Sequence, residues 1–363
     1  MLLFLALSAC LTATDPHESG DPVDTGPQDA DGDGIYTPDD CDDTRDDVYP
    51  GAPDDQKGDG VDMDCVGGDG DPIVGCSPIL VPDLYPTIED ALADGKSNLC
   101  LGAGTFTPGP LPDGATAVSA FRGQGRDVTI LNDPSAHYEV RVLAGLTATG
   151  QVTGTGSYQF NDVTLRDAVV AEFENFFCDR CGFVNSPIDA QVSEAVAGIA
   201  LSDGWIADAT AGIRLTLTGC RNSCSGYYTD LRMYNMTFVN NDIAIELDLS
   251  GDYDIYSVID NSVFVDNGAV MTVTEGSGTV PRLNISSQGN VEWGSTEAFP
   301  DGEDFSTKTQ DPELDMAFSP PRPLEGSPLI DSAKGDFVTF TDYWGVDRVE
   351  ADKGAVEYLA PIP

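Results

Sequence analysis

Asp29, Asp31, Asp33 and Asp40 follow the spacing D-x-D-x-D-G-x-x-x-x-x-D. Hard cations such as Ca²⁺ take about six to eight oxygen ligands. A twelve-residue loop supplies them from positions 1, 3, 5, 7, 9 and 12, with Gly at 6 for the sharp turn. In this chain those positions are Asp29, Asp31, Asp33, the Ile35 carbonyl, Thr37 (directly or through a water) and Asp40, and Gly34 makes the turn. Spacing and residue type agree at each ligating position, so the loop points to Ca²⁺ binding. A second set of oxygen ligands follows at Asp42, Asp59, Asp62 and Asp64, between Cys41 and Cys65.

The charge balance agrees with a cation site. The chain has 363 residues, 62 acidic and 17 basic, for a formal net charge of -45. Such a surface repels nucleic-acid phosphates and attracts divalent cations, which excludes nucleic acid as a partner. The acid is concentrated near the start. Between Leu11 and Pro72 there are 20 acidic residues against Arg45 and Lys57. The two histidines, His17 and His137, both fall in polar surroundings and read as solvent-exposed residues. No serine triad or histidine zinc site can be assembled from them.

The first ten residues read as an export signal. Met1 to Ala9 is a short apolar run that ends Leu7-Ser8-Ala9-Cys10. This resembles the lipobox of bacterial lipoproteins, although no Lys or Arg precedes the run. The resemblance implies lipidation of Cys10, and Leu11 at the next position implies outer-membrane placement rather than inner-membrane retention. No other segment reaches the ~20 apolar residues of a spanning helix, so the expected membrane tie is lipid alone.

Beyond Cys10 there are eight cysteines: Cys41, Cys65, Cys76, Cys100, Cys178, Cys181, Cys220 and Cys224. An even number in an exported chain reads as disulfides. Cys41 with Cys65 would staple the acidic module, and Cys76 with Cys100 the start of the next domain. Cys178-x-x-Cys181 and Cys220-x-x-x-Cys224 also have spacings suited to a zinc knot.

Residues 11–28 alternate Pro, Gly and acid and read as an extended tether. Residues 29–72 form the acidic module. Its strings Asp39-Asp40-Cys41-Asp42-Asp43, Tyr49-Pro50-Gly51-Ala52 and Gly58-Asp59-Gly60-Val61-Asp62-Met63-Asp64-Cys65 resemble the metal-binding repeat of MopE-like surface proteins and, more loosely, thrombospondin type 3 repeats. The chain departs from that pattern at Gly58, where cysteine is usual, and at Met63, where asparagine is usual. The module has few apolar residues and is expected to fold weakly without metal.

From Cys76 to Tyr358 the composition shifts to Thr, Val, Ile, Leu, Phe, Asn and Gly. Thr87 and Asp90 form a helix start, with Ile88, Ala91 and Leu92 on one apolar face. Short apolar strands edged by Asn or Asp then recur around Leu165, Phe183, Phe238 and Phe264, in steps of 18, 55 and 26 residues. The 55-residue step spans more than one turn. A unit of about 18–27 residues built from strands and Asn-rich turns predicts a solenoid rather than a β-sandwich, whose strands recur every ~8–12 residues. The region resembles the right-handed parallel β-helix (pectin-lyase-like) superfamily. Ser327-Pro328-Leu329-Ile330-Asp331, Asp342–Arg348 and Asp352–Tyr358 resemble the closing segment of bacterial surface β-helices. Both ends of a solenoid need covering. The Ile88/Leu92 helix and the Asp342–Tyr358 segment are the expected caps. The expected fold class is therefore mainly β: a right-handed parallel β-helix preceded by a small calcium-binding acidic module.

Two function classes follow. One is an exported, lipid-anchored cell-surface protein whose calcium-stabilised stalk presents a β-helix face to a polysaccharide or another surface protein. The other is a polysaccharide lyase or glycoside hydrolase on the same scaffold. Polygalacturonase-type Asn-Thr-Asp, Gly-His-Gly and Arg-x-Lys strings are absent. Arg180, Arg221, Arg232 and Asp230 are the residues that could be gathered for lyase chemistry. Asp242, Asp248, Asp252, Asp254, Asp260 and Asp266 read as turn residues and a solvated acidic ladder rather than as paired catalytic carboxylates.

Overall fold

The computed structural model describes residues 44–45, 76 and 78–358, except 115–117, 119, 127, 137–139, 154–155, 172, 174, 193–197, 218–227, 250–253, 276–282, 298–307, 335–340, 346–347 and 349–350. The lipobox, the tether, the calcium-loop residues Asp29 to Asp64, Cys41, Cys65, Cys220, Cys224, Arg221 and both histidines lie outside the described residues.

One short helix, α1 (Ile88–Ala93), precedes the strands. The Thr87 hydroxyl oxygen accepts from the Asp90 backbone N–H at 3.1 Å, the N-cap its sequence predicts. Ile88, Ala91 and Leu92 are buried at the start of the core, so the helix covers the apolar interior where the first strands begin.

The strands then wind into one large parallel sheet that curls on itself, compatible with a parallel β-helix. Each full rung contributes to three sheets. In the first sheet the inward column runs Leu99, Phe121, Leu143, Phe160, Cys178, Leu201, Met233, Ile259. In the second it runs Leu131, Ala148, Leu165, Phe183, Ile206, Phe238, Phe264. In the third it runs Val152, Val170, Ile188, Ile213, Ile245, Met271. Parallel neighbours sit ~4.8 Å apart, so like residues stack along each column. Phe238 and Phe264 stack with ring centroids 4.9 Å apart.

Ile206 is the rung that the 55-residue step conceals. From Leu165 onward the rungs recur at 18, 23, 32, 26 and 28 residues. The 32- and 28-residue steps exceed the expected unit; Cys220 and Cys224 fall within the 32-residue step and lie outside the described residues.

Two single-residue corners separate the sheets, and both require a positive φ. Between the first and second sheets stand Gly145, Asp162, Arg180, Asp203, Asn235, Asn261 and Gly289, with φ between 50° and 71°. Between the second and third stand Asp133, Gly150, Asp167, Asn185, Asp208, Asn240, Asp266 and Gly294, with φ between 47° and 75°. Asn, Asp and Gly tolerate this left-handed conformation, which explains the Asn/Asp edging of the strands. The second column also pairs amide with carboxylate on adjacent rungs. Asn185 donates to Asp167 at 2.7 Å and Asn240 to Asp208 at 2.6 Å.

The described residues of the Asp342–Tyr358 segment do not lie over the end of the coil. They run back along the outside of the second sheet as a strap. Gly354 donates to the Asn261 carbonyl, Ala355 to the Thr237 hydroxyl, and Tyr343 meets the Thr164 hydroxyl at 3.2 Å. The physical reason is the outer face of that sheet. Trp205, Ala207 and Val239 point outward there, and Tyr343, Ala355 and Val356 bury them. Val263, Val265 and Val291 are covered in the same way by Leu329. The outer face of the second sheet is thus largely apolar from Trp205 to Val291, and the strap together with Leu329 covers it.

Candidate functional site

Covering of the second sheet leaves the first and third as the lateral faces open to solvent. The third sheet carries a polar ladder on its outside. Arg214 stands between Asp189 and Glu246 on adjacent rungs, 3.8 Å and 2.6 Å away. Glu246 holds the Arg214 guanidinium above its ordinary range. These groups pair across the stack, Arg214 with Glu246 by a hydrogen bond and with Asp189 by a longer ion contact.

The outside of the first sheet differs. Two outward columns run side by side: Gln159, Phe177, Ala200, Arg232 and Asn161, Asp179, Ser202, Tyr234. Between them lies a recess of about 510 Å³, lined by Gln159, Phe177, Ala200, Asn161, Asp179, Ser202 and Tyr234. Strand alternation makes it. In Asn175-Phe176-Phe177-Cys178-Asp179, Phe176 and Cys178 point inward, which forces Phe177 and Asp179 outward. Phe177 is 47% exposed, unusual for a phenylalanine in a sheet, while Ala200 on the next rung leaves space beside its ring. The Ser202 hydroxyl donates to Asp179 Oδ1 at 2.6 Å and holds that carboxylate at the edge of the recess. Phe177 did not stand out in the sequence. Its signal is an aromatic on the solvent parity of a strand whose neighbours on either side are buried.

Two disulfides are present among the described residues. Cys76 bonds to Cys100, as expected for the start of the domain. Cys178 bonds to Cys181, which engages two of the four sulfurs that a zinc knot would need. The second disulfide staples the corner that carries Asp179 and Arg180, directly beside the recess.

Of the basic residues that could serve lyase chemistry, Arg180 and Arg232 are described. Arg180 is a buried corner residue, 7% exposed. Arg232 is exposed on the first sheet, in register with Ala200 and Val258. Asp230 precedes it on the same strand, and its side chain lies outside the described residues. Among the described residues no group of three or more His, Cys, Asp or Glu side chains could hold a metal ion.

The strap contains the densest buried charge. Arg348 donates to Asp203 at 3.0 Å, to Glu357, and to the Asp352, Gly354 and Thr341 carbonyls. Burial pushes the Glu357 and Asp352 carboxyls up, against the pull of Arg348. Farther along the strap's path, Arg126 lies 3.8 Å from the centroid of the Tyr343 ring and 2.8 Å from Asp162. These groups hold the strap to the coil and are structural.

Comparison with family profiles, characterised proteins and solved structures returns no match. The fold and the recess define the class: a mainly parallel β coil with one lateral face closed by its own C-terminal strap and another face left open.

Proposed function

We propose that this is an exported, lipid-anchored cell-surface protein in which a calcium-stabilised acidic stalk presents a right-handed, pectin-lyase-like β-helix, and that the open face of the first sheet binds a glycan without cleaving it. The observation that carries the binding reading is the recess beside Phe177. An exposed aromatic ring gives an apolar plate, and Asp179, Ser202, Asn161, Gln159 and Tyr234 around it supply hydrogen-bonding groups. A few placed polar groups around an apolar surface is what small-ligand sites require. The lyase alternative is less favoured because Arg180 is a buried corner residue; Arg221 and the Asp230 side chain lie outside the described residues. The stalk rests on the Asp29–Asp40 spacing, and the anchor on the Leu7–Cys10 string.

The test uses the soluble chain begun after Cys10, passed over immobilised polysaccharides while unsaturated and reducing products are followed. Retention without products supports the reading, and Phe177→Ala should abolish retention. Release of products would replace it with the enzyme alternative.

A further inference from the structure

We infer that the recess selects an uncharged saccharide ring and rejects uronic acids; this rests on the glycan reading above. Among the residues that line it, Asp179 alone carries charge; Arg232, next to Ala200 on the outward column, stands outside the lining. Its Oδ1 is engaged by Ser202 at 2.6 Å, which keeps the carboxylate in place as an acceptor. A carboxylate at a binding edge accepts from ligand hydroxyls with charge-assisted strength and repels a ligand carboxylate. The rest of the chain adds to that repulsion, since its formal net charge is -45. Asn161, Gln159 and Tyr234 offer neutral hydrogen-bonding groups, which suit hydroxyls rather than an anion. Phe177 provides the plate for the apolar face of a ring, and the Ala200 methyl leaves room for that ring to reach the strand backbone.

The recess is short. Its lining residues come from four successive strands of the first sheet, those containing Phe160, Cys178, Leu201 and Tyr234. At ~4.8 Å per step this spans roughly 14 Å, room for a few rings and not for a long polymer. The ligand class is therefore a short neutral glycan or a neutral stretch of a longer one.

The experiment is calorimetric titration of the full soluble chain with neutral gluco-, galacto- and manno-tetraoses and with tetragalacturonate at low salt. At least one neutral tetraose should bind and the uronate should not. Ala200→Leu, an outward substitution that fills the recess, should weaken binding about tenfold or more, the equivalent of roughly 1.4 kcal/mol. An unchanged melting curve shows that this variant is folded. Asp179→Asn, which removes the repelling charge, should admit the uronate, and this gain of binding cannot arise from misfolding. Uronate binding to the wild type that is lost in Ala200→Leu would overturn the neutral selectivity while leaving the glycan reading intact. Binding unaffected by Ala200→Leu would overturn the assignment to this recess. No binding of either class would overturn both.

Discussion

Arg348 and Asp203 meet at 3.0 Å across 145 positions of sequence, with side chains 0% and 2% exposed. Asp203 is a corner of the coil and Arg348 belongs to the strap, so this pair joins the two. Every nitrogen of the guanidinium has a partner: Asp203, Glu357 or a strap carbonyl. Arg348→Ala would leave two buried carboxylates without their cation. We expect a loss of about 3–5 kcal/mol in denaturant unfolding. Arg348→Lys should recover only part of it, because an ammonium cannot reproduce the fork. A loss below about 1 kcal/mol would mean that the strap does not depend on this contact.

Four carboxyls, Asp260, Glu292, Asp352 and Glu357, are pushed up by burial as the leading cause. Between the ordinary carboxylate range and those raised values the folded chain holds more protons than the unfolded one. Stability in that window falls as pH rises. The melting temperature should therefore be higher in mildly acidic buffer than at neutral pH. Glu292 isolates the effect, since it stands in register with Phe264 on the apolar column and is 7% exposed. Glu292→Gln should raise the neutral-pH melting temperature and flatten the pH dependence. An unchanged slope would show that burial of Glu292 is not its source.

Asn240 holds a φ of 53° at an exposed corner and donates to Asp208 at 2.6 Å. Asn240→Val adds a branched Cβ to a left-handed backbone and deletes the hydrogen bond. The cost should be about 1–2 kcal/mol. Asn240→Gly keeps the conformation and should cost less than half of that. If both variants unfold at the same denaturant concentration, the backbone argument fails.

The Cys76–Cys100 disulfide has a sequence separation of 24 and closes a loop that contains α1. In the chain-entropy account a loop of this size contributes about 3.5 kcal/mol. Replacing both cysteines by serine should lower the melting temperature accordingly, with hydrogen exchange rising first in α1 and the strands nearest it. Exchange that rises only near Phe264 would contradict the placement.

Calcium should bind the Asp29–Asp40 loop at roughly 10⁻⁴–10⁻³ M or somewhat tighter and protect residues 29–72 from protease. Replacing Asp31 and Asp33 together should remove that protection while leaving the coil folded. Equal cleavage with and without calcium would refute a metal-ordered stalk.

Local chemistry was legible in the residues themselves. Thr87 with Asp90 announced the helix start, and Asn or Asp at the strand edges announced the corners, because a cap and a positive φ are properties of one or two residues. The recurrence of Leu165, Phe183, Phe238 and Phe264 exposed the coil, because stacked rungs repeat one inward position. Ile206 escaped the pattern because it sits in a rung lacking the Phe-Val-Asn string, with Trp205-Ile206-Ala207-Asp208 in its place. The strap's course was not legible either. Asp342–Tyr358 reads as a closing segment, but whether it covers an end or a side depends on which sheet presents Trp205, Val239 and Val263 outward, and that parity exists only once the rungs are in register. The recess has the same origin. Phe177, Ala200 and Asp179 become neighbours through parallel pairing of distant strands, which is decided by burial of the columns beneath them.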